Sequence, residues 1–345
     1  TALVRDALAA LAITTGDMGL FSGEEFGGPL RQALRYPDRR VRIEAAIIVA
    51  EAQPRASFGD EPLVMAELSN AIRGYGQPSA VVVAATEEDA QVASAGLVEA
   101  GYTVLASATS VDGLAAAMKD ASVVDLVVMD VDASQVDSNL RSLRASARTA
   151  ASPVLVFATG VDLPAMRAAF PAGGSVMAID RNASGSGRMA AMNQLMAQAS
   201  GGSLDETAAL IYAIEATEAV NALAAGTRGE VLNPQEALPT YLDALQSRSG
   251  GLRMLIAEGL SEMDSSEAQV ALIDAALDAT GSEQIELLAY ATASVRSFGN
   301  QTTPDQVASV LSLVELADES DLADAAAALH GALDLPGGAI LQFVN

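Results

Sequence analysis

Short apolar runs separated by helix-length segments dominate the middle third of the chain. Each run is six to eight residues long, and none shows strict alternation with polar residues. Such runs are typical of strands that are buried on both faces of a parallel sheet. They are AVVVAA (80–85), TVLASA (103–108), VVDLVVMD (123–130), PVLVFAT (153–159) and SVMAID (175–180). Because strands that alternate with helices form right-handed βαβ units, the pattern predicts a five-stranded doubly wound α/β domain.

The segments between these runs carry helical periodicity. One apolar stripe recurs at helical spacing between the third and fourth runs, and it consists of Val136, Leu140, Leu143 and Ala147. A second stripe follows the fifth run and consists of Met189, Met192 and Met196. Both stripes predict helices that pack an apolar face against the sheet.

The order of these elements resembles the receiver domain of bacterial response regulators, over roughly a third of the chain. The residues that carry the resemblance are the DLVVMD strand ending in Asp130, the SPVLVFAT strand and the AGGSVMAID strand. In that family the site combines an acidic pair after strand 1 with a phosphoacceptor Asp, a Ser or Thr, and a Lys at the ends of strands 3, 4 and 5. Asp130 matches the phosphoacceptor position and Asp180 the lysine position. Thr159, or Ala158 in a one-residue shift, matches the hydroxyl position.

The position of the acidic pair departs from the family pattern. Ala84 and Ala85 stand where two carboxylates are expected. Mg²⁺ requires several oxygen ligands in near-octahedral geometry, and Asp130 and Asp132 are the obvious ones left nearby. Two carboxylates are too few for a dedicated magnesium site.

The end of the fifth run departs as well. Asp180 reverses the charge of the expected Lys, with Arg181 next to it, and an acidic side chain there repels an incoming phosphate. The sequence therefore predicts a degenerate pseudo-receiver with no catalytic residue, no cofactor and no metal. The alternative is that Glu87 or Glu88 supplies the lost ligands and that Asp130 accepts phosphate.

Residues 1–76 have a helical pattern. It begins with TALVRDALAALAIT, passes through a Gly-rich loop at Phe21–Gly28, and continues with PLRQALRYP, DRRVRIEAAIIVAEAQP and PLVMAELSNAIRG. Asp38 is placed to cap the longer helix. The predicted buried face of that helix consists of Val41, Ala45, Ile48 and Val49. The stretch RYPDRRVRIEAAIIVAEA resembles a HEAT repeat, an antiparallel helix pair that stacks into a solenoid.

The last third of the chain strengthens that resemblance. Helices are predicted at 204–225, 234–247, 250–262, 266–279, 282–296, 304–316 and 320–333. Pairing them gives units that begin near 234, 266 and 304, at spacings close to those of HEAT and armadillo repeats. ILQFV (340–344) is predicted as a terminal strand or a docked tail. The predicted organisation is a helical HEAT-like segment at 1–76, a pseudo-receiver domain at 77–200 and a HEAT-like repeat domain at 201–345.

Charge and composition narrow the classes of function. The net charge is −25, and residues 201–345 alone carry 22 acids against four Arg. A field of this sign opposes nucleic acid and anionic lipid, so we expect no nucleic-acid partner. No apolar run is long enough to predict a membrane span. With no Cys and a single His, His330, the chain lacks thiolate chemistry and His-rich metal sites.

Three functions from different classes follow. The first is a bacterial, non-enzymatic scaffold whose pseudo-receiver and helical repeats are protein-docking surfaces. The second is a phosphorylation-responsive signalling receiver that uses Asp130, and the third is an enzyme that pairs Asp130 with Asp132. Apolar residues at both ends of the chain favour assembly into a homo-oligomer or filament. Cytoplasmic residence and export after removal of a leader both remain open.

Overall fold

The computed structural model describes residues 4–8, 10, 27–74, 77–118, 123–146, 148–202, 204–226, 231–316 and 320–333. The chain forms two compact units, Thr1–Tyr212 and Ala213–Asn345. The first unit is a mixed α/β structure with a five-stranded parallel sheet, and the second is helical. The finer division into three segments remains a prediction.

Besides the helical residues 4–8 and 10, three helices precede the sheet among the described residues. They are α1 (Gly27–Ala33), α2 (Arg39–Glu51) and α3 (Glu61–Gly74). Asp38 caps α2 as predicted, because its side chain accepts a hydrogen bond from the Arg40 backbone N–H at 2.9 Å. The predicted single apolar face was too narrow, since Ile43, Ala46, Ile47 and Ala50 are also buried and Ile48 is only half-buried. Most of the predicted first helix and of the Phe21–Gly28 loop lies outside the described residues.

The sheet confirms the five predicted strands. Its strands are β1 (Ser79–Ala84), β2 (Thr103–Ala108), β3 (Leu126–Asp130), β4 (Val154–Ala158) and β5 (Val176–Asp180). They are all parallel in the order β2-β1-β3-β4-β5, the flavodoxin-like order of doubly wound folds. The connecting helices are α4 (Glu87–Glu99), α5 (Val111–Ala117), α6 (Ala133–Ala145) and α7 (Leu163–Ala169), and α8 (Gly185–Ser200) follows β5.

Each face of the sheet has its own apolar core. Helices α4 and α8 cover one face, where Leu97, Leu195 and Met192 pack on Val128 and Phe157. Helices α5, α6 and α7 cover the other face. Their packing residues there are Leu114, Val136, Leu140, Leu143, Leu163 and Met166. The packing confirms both predicted stripes in their described residues, and Ala147 lies outside those residues.

The second unit is built from short antiparallel helices. It contains the C-terminal half of α9 (Glu206–Ala225), a 3₁₀ turn at Pro234–Ala237, and six further helices. These are α10 (Leu238–Ser247), α11 (Gly250–Ser261), α12 (Ser266–Asp278), α13 (Gly281–Phe298), α14 (Pro304–Leu316) and α15 (Ser320–Ala332). From α10 onward, consecutive helices pack on one another, except for α13 and α14. Alternate helices also pack together, since α10 contacts α12, α11 contacts α13, α12 contacts α14 and α13 contacts α15. Alternate helices thus form two layers, an arrangement that helical repeat proteins share.

A buried glutamine recurs near the start of three of these helices. Gln269 of α12 donates to the Gly299 carbonyl at 3.1 Å, and Gln306 of α14 donates to the Val270 carbonyl at 2.9 Å. Gln284 of α13 donates to the Ala276 carbonyl at 2.9 Å. Each amide satisfies a backbone carbonyl of another segment, so the three residues join neighbouring segments. In the sequence each Gln precedes Val or Ile, a recurrence that our sequence analysis missed.

Helix α9 is long and apolar enough to cross a membrane by length and composition, and half of its apolar window is buried inside the protein. Ala213, Ala216 and Val220 are fully buried in it. A core helix passes the same test, so this one helix is weak evidence for a membrane span. The predicted terminal strand at 340–344 lies outside the described residues.

Candidate functional site

The carboxyl ends of β3, β4 and β5 place the receiver-like residues at one edge of the sheet. Asp130 is the last residue of β3 and is 6% exposed. Its carbonyl accepts a hydrogen bond from Ala85 N–H at 2.8 Å, which closes the end of β1 against β3. Thr159 follows β4, and Asp180 ends β5 opposite Ala158.

Asp130 is ion-paired with Arg181. The Arg181 Nη2 lies 2.7 Å from Asp130 Oδ1. Burial raises the pKa of Asp130 against the opposing charge of Arg181. Arg188 supports this arrangement, because its Nη2 donates to the Arg181 carbonyl at 2.7 Å and its guanidinium lies 4.9 Å from the centre of the Phe157 ring.

Asp180 is used by its own turn. Its Oδ1 accepts a hydrogen bond from Asn182 N–H at 2.8 Å. The cation at this edge therefore comes from Arg181, one residue beyond the position that matches the family's Lys. The sequence alone did not show which of Asp180 and Arg181 lies next to Asp130, because the side chains of successive residues point to opposite faces of a strand.

Thr159 is engaged in the same way. Its hydroxyl donates to Asp162 Oδ2 at 2.5 Å, at the start of α7. The cavity between Thr159, Asp132 and Arg181 has a volume of only about 30 Å³, room for about one water molecule.

The residues at this edge do not fit a magnesium ion. No group of three His, Cys, Asp or Glu side chains suited to a metal exists among the described residues. Glu87 and Glu88 are exposed, and Asp132 is exposed at the start of α6. The acidic side chain that acts on Asp130 from α4 is Asp89, whose charge adds to the rise in the pKa of Asp130.

The opposite, amino edge of the sheet holds a buried charge network that our sequence analysis did not predict. Arg42 of α2, Glu67 of α3 and Asp125 before β3 are all almost completely buried. Arg42 Nε lies 3.1 Å from Glu67 Oε1, and Arg42 Nη2 pairs with Asp125 Oδ1. Arg42 also donates to the Tyr36 and Pro37 carbonyls, each at 3.0 Å.

Backbone groups complete this network. Glu67 Oε1 accepts from Val123 N–H at 3.1 Å, and Asp125 Oδ2 accepts from the Ser79 N–H and hydroxyl at 2.7 and 2.9 Å. Burial favours the protonated form of both carboxyls. At Asp125 the positive charge of Arg42 outweighs burial and the pKa is lowered, whereas at Glu67 burial prevails and the pKa is raised. The network therefore joins helices α2 and α3 to the starts of β1 and β3.

A signal for this network was present in the sequence. Asp125 lies inside the apolar run VVDLVVMD, and Arg42 lies inside a helix that is otherwise apolar on the same side. A charge within an apolar run is buried only when it is paired. The pairing itself was not predicted, because Asp125 lies 83 positions from Arg42 in the chain.

An apolar groove lies on the α4–α8 face of the sheet. It has a volume of about 500 Å³ and its floor contains Val128 and Phe157. Met189 and Met192 of α8 and Val92 of α4 line it. Val92 is 59% exposed, so apolar surface continues from the groove to solvent.

Comparisons of the chain with protein-family models, with curated proteins and with solved structures found no match.

Proposed function

We propose that this chain is a non-enzymatic protein-docking scaffold. In this proposal the receiver-like α/β unit and the HEAT-type helical repeats both present surfaces to protein partners. The observation that carries the proposal is the α4–α8 groove, which is apolar, reaches the sheet between two helices and opens to solvent. Apolar surface of this kind on a polar exterior marks an interaction site.

The groove fits an amphipathic helix of a partner. Its walls are two helices, and the space between helices suits a third helix that inserts apolar side chains at i, i+3, i+4 and i+7. Met189 and Met192 adapt their shape to such side chains, because the thioether chain is unbranched and flexible.

Helix α4 makes one wall of the groove acidic, whereas Arg188 of α8 lines the other wall. Helix α4 starts with Glu87, Glu88 and Asp89 and ends with Glu99, and it contains no basic residue. Opposite charges across an interface raise the association rate and disfavour wrong partners. We therefore infer that the partner helix carries Lys or Arg beside its apolar face.

The carboxyl edge supports a non-enzymatic role. Asp130 is ion-paired with Arg181, the Thr159 hydroxyl donates to Asp162, and the cavity beside Thr159 and Arg181 is only about 30 Å³. A site for phosphoryl transfer has to admit a phosphoryl group and a neutralising cation. Here Arg181 instead forms an ion pair with Asp130.

A photocrosslinking pair tests the docking role. A photoreactive side chain at Val92 reports on the groove, and the same side chain at Val98 is the matched control. Val98 lies on the same helix and is 62% exposed, but it does not line the groove. We expect position 92 to crosslink to a discrete protein of the native source, and we expect Met192→Asp to abolish that product. Equal crosslinking at both positions would refute the assignment of the groove.

The same scaffold role includes self-assembly as a proposal. We expect light scattering at micromolar concentration to detect a species larger than a monomer. A version truncated before Gly337 tests whether the apolar C-terminal residues contribute to assembly. A monomer in both forms would limit the scaffold to unlike partners.

One observation favours the second candidate function, a receiver that accepts phosphate on Asp130. Arg181 provides a cation at 2.7 Å from Asp130, where the family relies on Lys. A stoichiometric gain of phosphate mass on exposure to Mg²⁺ and a small phosphodonor would favour this candidate over the scaffold.

A further inference from the structure

A cavity of about 310 Å³ lies at the amino edge of the sheet. Arg39 at the start of α2, Pro78 before β1 and Tyr102 before β2 form one side of it. Met196 of α8 and Leu204 after α8 form the other side. Its volume falls in the range of small-molecule sites, and its lining is predominantly apolar with a few polar groups, which is the usual composition of such sites.

Arg39 supplies a positive charge to the wall of this cavity. The residue is 7% exposed, and its guanidinium donates to the Gln77 carbonyl at 2.5 Å and to the Asn70 carbonyl at 3.3 Å. A guanidinium carries five N–H donors, so these two bonds leave three without a partner among the described residues. No carboxylate of those residues lies within ion-pair distance of Arg39. A buried cation without a contacting anion is costly, and an anionic ligand would remove that cost.

The nearest buried carboxylate does not take this role. Asp125 also lines the cavity, but its Oδ1 is paired with Arg42 and its Oδ2 accepts two hydrogen bonds from Ser79. Arg39 acts on Asp125 and Glu67 only at longer range, so its guanidinium has no contacting anion among the described residues.

Tyr102 provides a second donor. It is 7% exposed, and its hydroxyl makes no hydrogen bond to another described residue. Tyr102 lines the cavity, where a ligand could accept a hydrogen bond from this hydroxyl. Burial raises the pKa of Tyr102 to about 12, so the hydroxyl is protonated at neutral pH and donates.

We propose that this cavity binds a small organic carboxylate with an apolar body. The carboxylate accepts hydrogen bonds from the Arg39 guanidinium and the Tyr102 hydroxyl. The apolar body packs against Pro78, Met196 and Leu204. A bidentate carboxylate matches the planar fork of an arginine, and the apolar walls disfavour ligands whose second end is charged. This proposal is independent of the docking groove, which lies between α4 and α8 at other residues.

Calorimetric titration of the full chain tests the proposal, with benzoate and hexanoate as probes. Methyl benzoate and benzylamine are the comparators, because they keep the apolar body and remove or reverse the charge. We expect saturable binding of at least one carboxylate. Methyl benzoate and benzylamine should bind at least about tenfold more weakly.

Variants locate the binding. Ala197 lines the cavity on α8, so Ala197→Met fills it, whereas Ala190→Met makes the same change on the same helix away from it. We expect Ala197→Met to lower the affinity about tenfold or more and Ala190→Met to leave it unchanged. Arg39→Gln removes the charge and is expected to lower the affinity about tenfold, with a smaller loss for Tyr102→Phe.

Three results would overturn the proposal. They are the absence of saturable binding by either carboxylate, equal affinity for the acid and its methyl ester, and binding that Ala197→Met leaves unchanged. Because Arg39 also holds two backbone carbonyls, Arg39→Gln is accompanied by a thermal melt. If that variant does not fold, the ester comparison and Ala197→Met still decide. The control variant Val92→Arg is expected to leave carboxylate binding unchanged, which separates this site from the docking groove.

Discussion

Removal of the Arg42 side chain is the sharpest test of what holds the first unit together. In Arg42→Met the side chain keeps much of its length but loses its charge and its bonds to Glu67, Asp125 and two backbone carbonyls. Both carboxylates are then buried without their cation. Removing one partner of a buried ion pair costs about 3–5 kcal/mol. For a unit of this length, that loss lowers the melting temperature by about 6–20 °C.

The loss of stability should depend on pH. The pKa of Asp125 is lowered in the folded protein, so its ionisation stabilises the fold above its unfolded pKa, and that contribution is lost as pH falls through the folded value. Glu67 has a raised pKa, so its contribution is present below the unfolded pKa and is lost as pH rises through the folded value. Without Arg42 both carboxyls hold protons more strongly. We therefore expect Arg42→Met to be closer to the wild type at about pH 4 than at pH 7.

Urea unfolding followed by circular dichroism, at both pH values, measures these differences. Arg40→Met is the matched control, because Arg40 lies on α2 close to Arg42 but is not part of the network. Its guanidinium is partly exposed and lies 3.7 Å from the Asp38 carboxylate. We expect this control to cost less than about 1 kcal/mol. Glu67→Gln keeps an acceptor for Val123 N–H, so it should lower the free energy of unfolding less than Arg42→Met does. In the double variant, Arg42→Met should lower the free energy of unfolding less than it does in the wild type. A cost for Arg42→Met no larger than that of the control would refute the reasoning.

Three further predictions concern the carboxyl edge, the helical unit and the surface charge. With Mg²⁺ and acetyl phosphate we expect intact-mass measurement to find no phosphate on the chain, and a gain that Asp130→Asn abolishes would contradict the pseudo-receiver proposal. Gly259→Ala should destabilise the second unit by about 1–3 kcal/mol, because the added Cβ overlaps Asn221 Oδ1, whereas Gly251→Ala in the same helix meets no atom within 4 Å and should be neutral or stabilising in chemical unfolding. Because residues 201–345 carry a net charge of −18, no binding to duplex DNA or anionic vesicles is expected at physiological salt, and a salt-sensitive gel shift would contradict this.

The strands of the sheet were predictable because burial on both faces requires apolar residues at every position of a strand. Each strand of a doubly wound sheet becomes an uninterrupted apolar run, and the five runs match the five strands to within a few residues. The largest difference is at 123–130, where the strand begins only at Leu126. Val123 and Val124 are buried but precede the strand, because Asp125 turns its side chain to Arg42 and Ser79.

The candidate sites were less predictable because they depend on contacts between distant segments. The Arg42 network joins residues that are 25 and 83 positions apart in the chain, and periodicity within one element cannot pair them. The choice between Asp180 and Arg181 depended on how β5 ends, which no spacing fixes. The Arg39 cavity is formed by loops before β1 and β2 and by the end of α8, so it has no local signature.

The two edges of the sheet use their charged residues differently. In open α/β sheets, ligands bind outside the carboxyl ends of the strands, where loops diverge and leave a crevice. Here Asp130 and Arg181 pair across that edge, and the cavity beside Thr159 and Arg181 is only about 30 Å³, although a cavity of about 470 Å³ lies at the ends of β1 and β2, beside Glu87 and Ser107. At the amino edge the N-terminal helices bring Arg42 to neutralise Asp125, and they place Arg39 on the wall of a cavity of about 310 Å³. The same helix therefore supplies both the Arg42 side chain that pairs with Asp125 and the Arg39 side chain that lines the cavity. A ligand bound there would contact both helix α2 and the residues before β1 and β2. Its binding should therefore raise the unfolding temperature of the wild-type protein and not that of Ala197→Met.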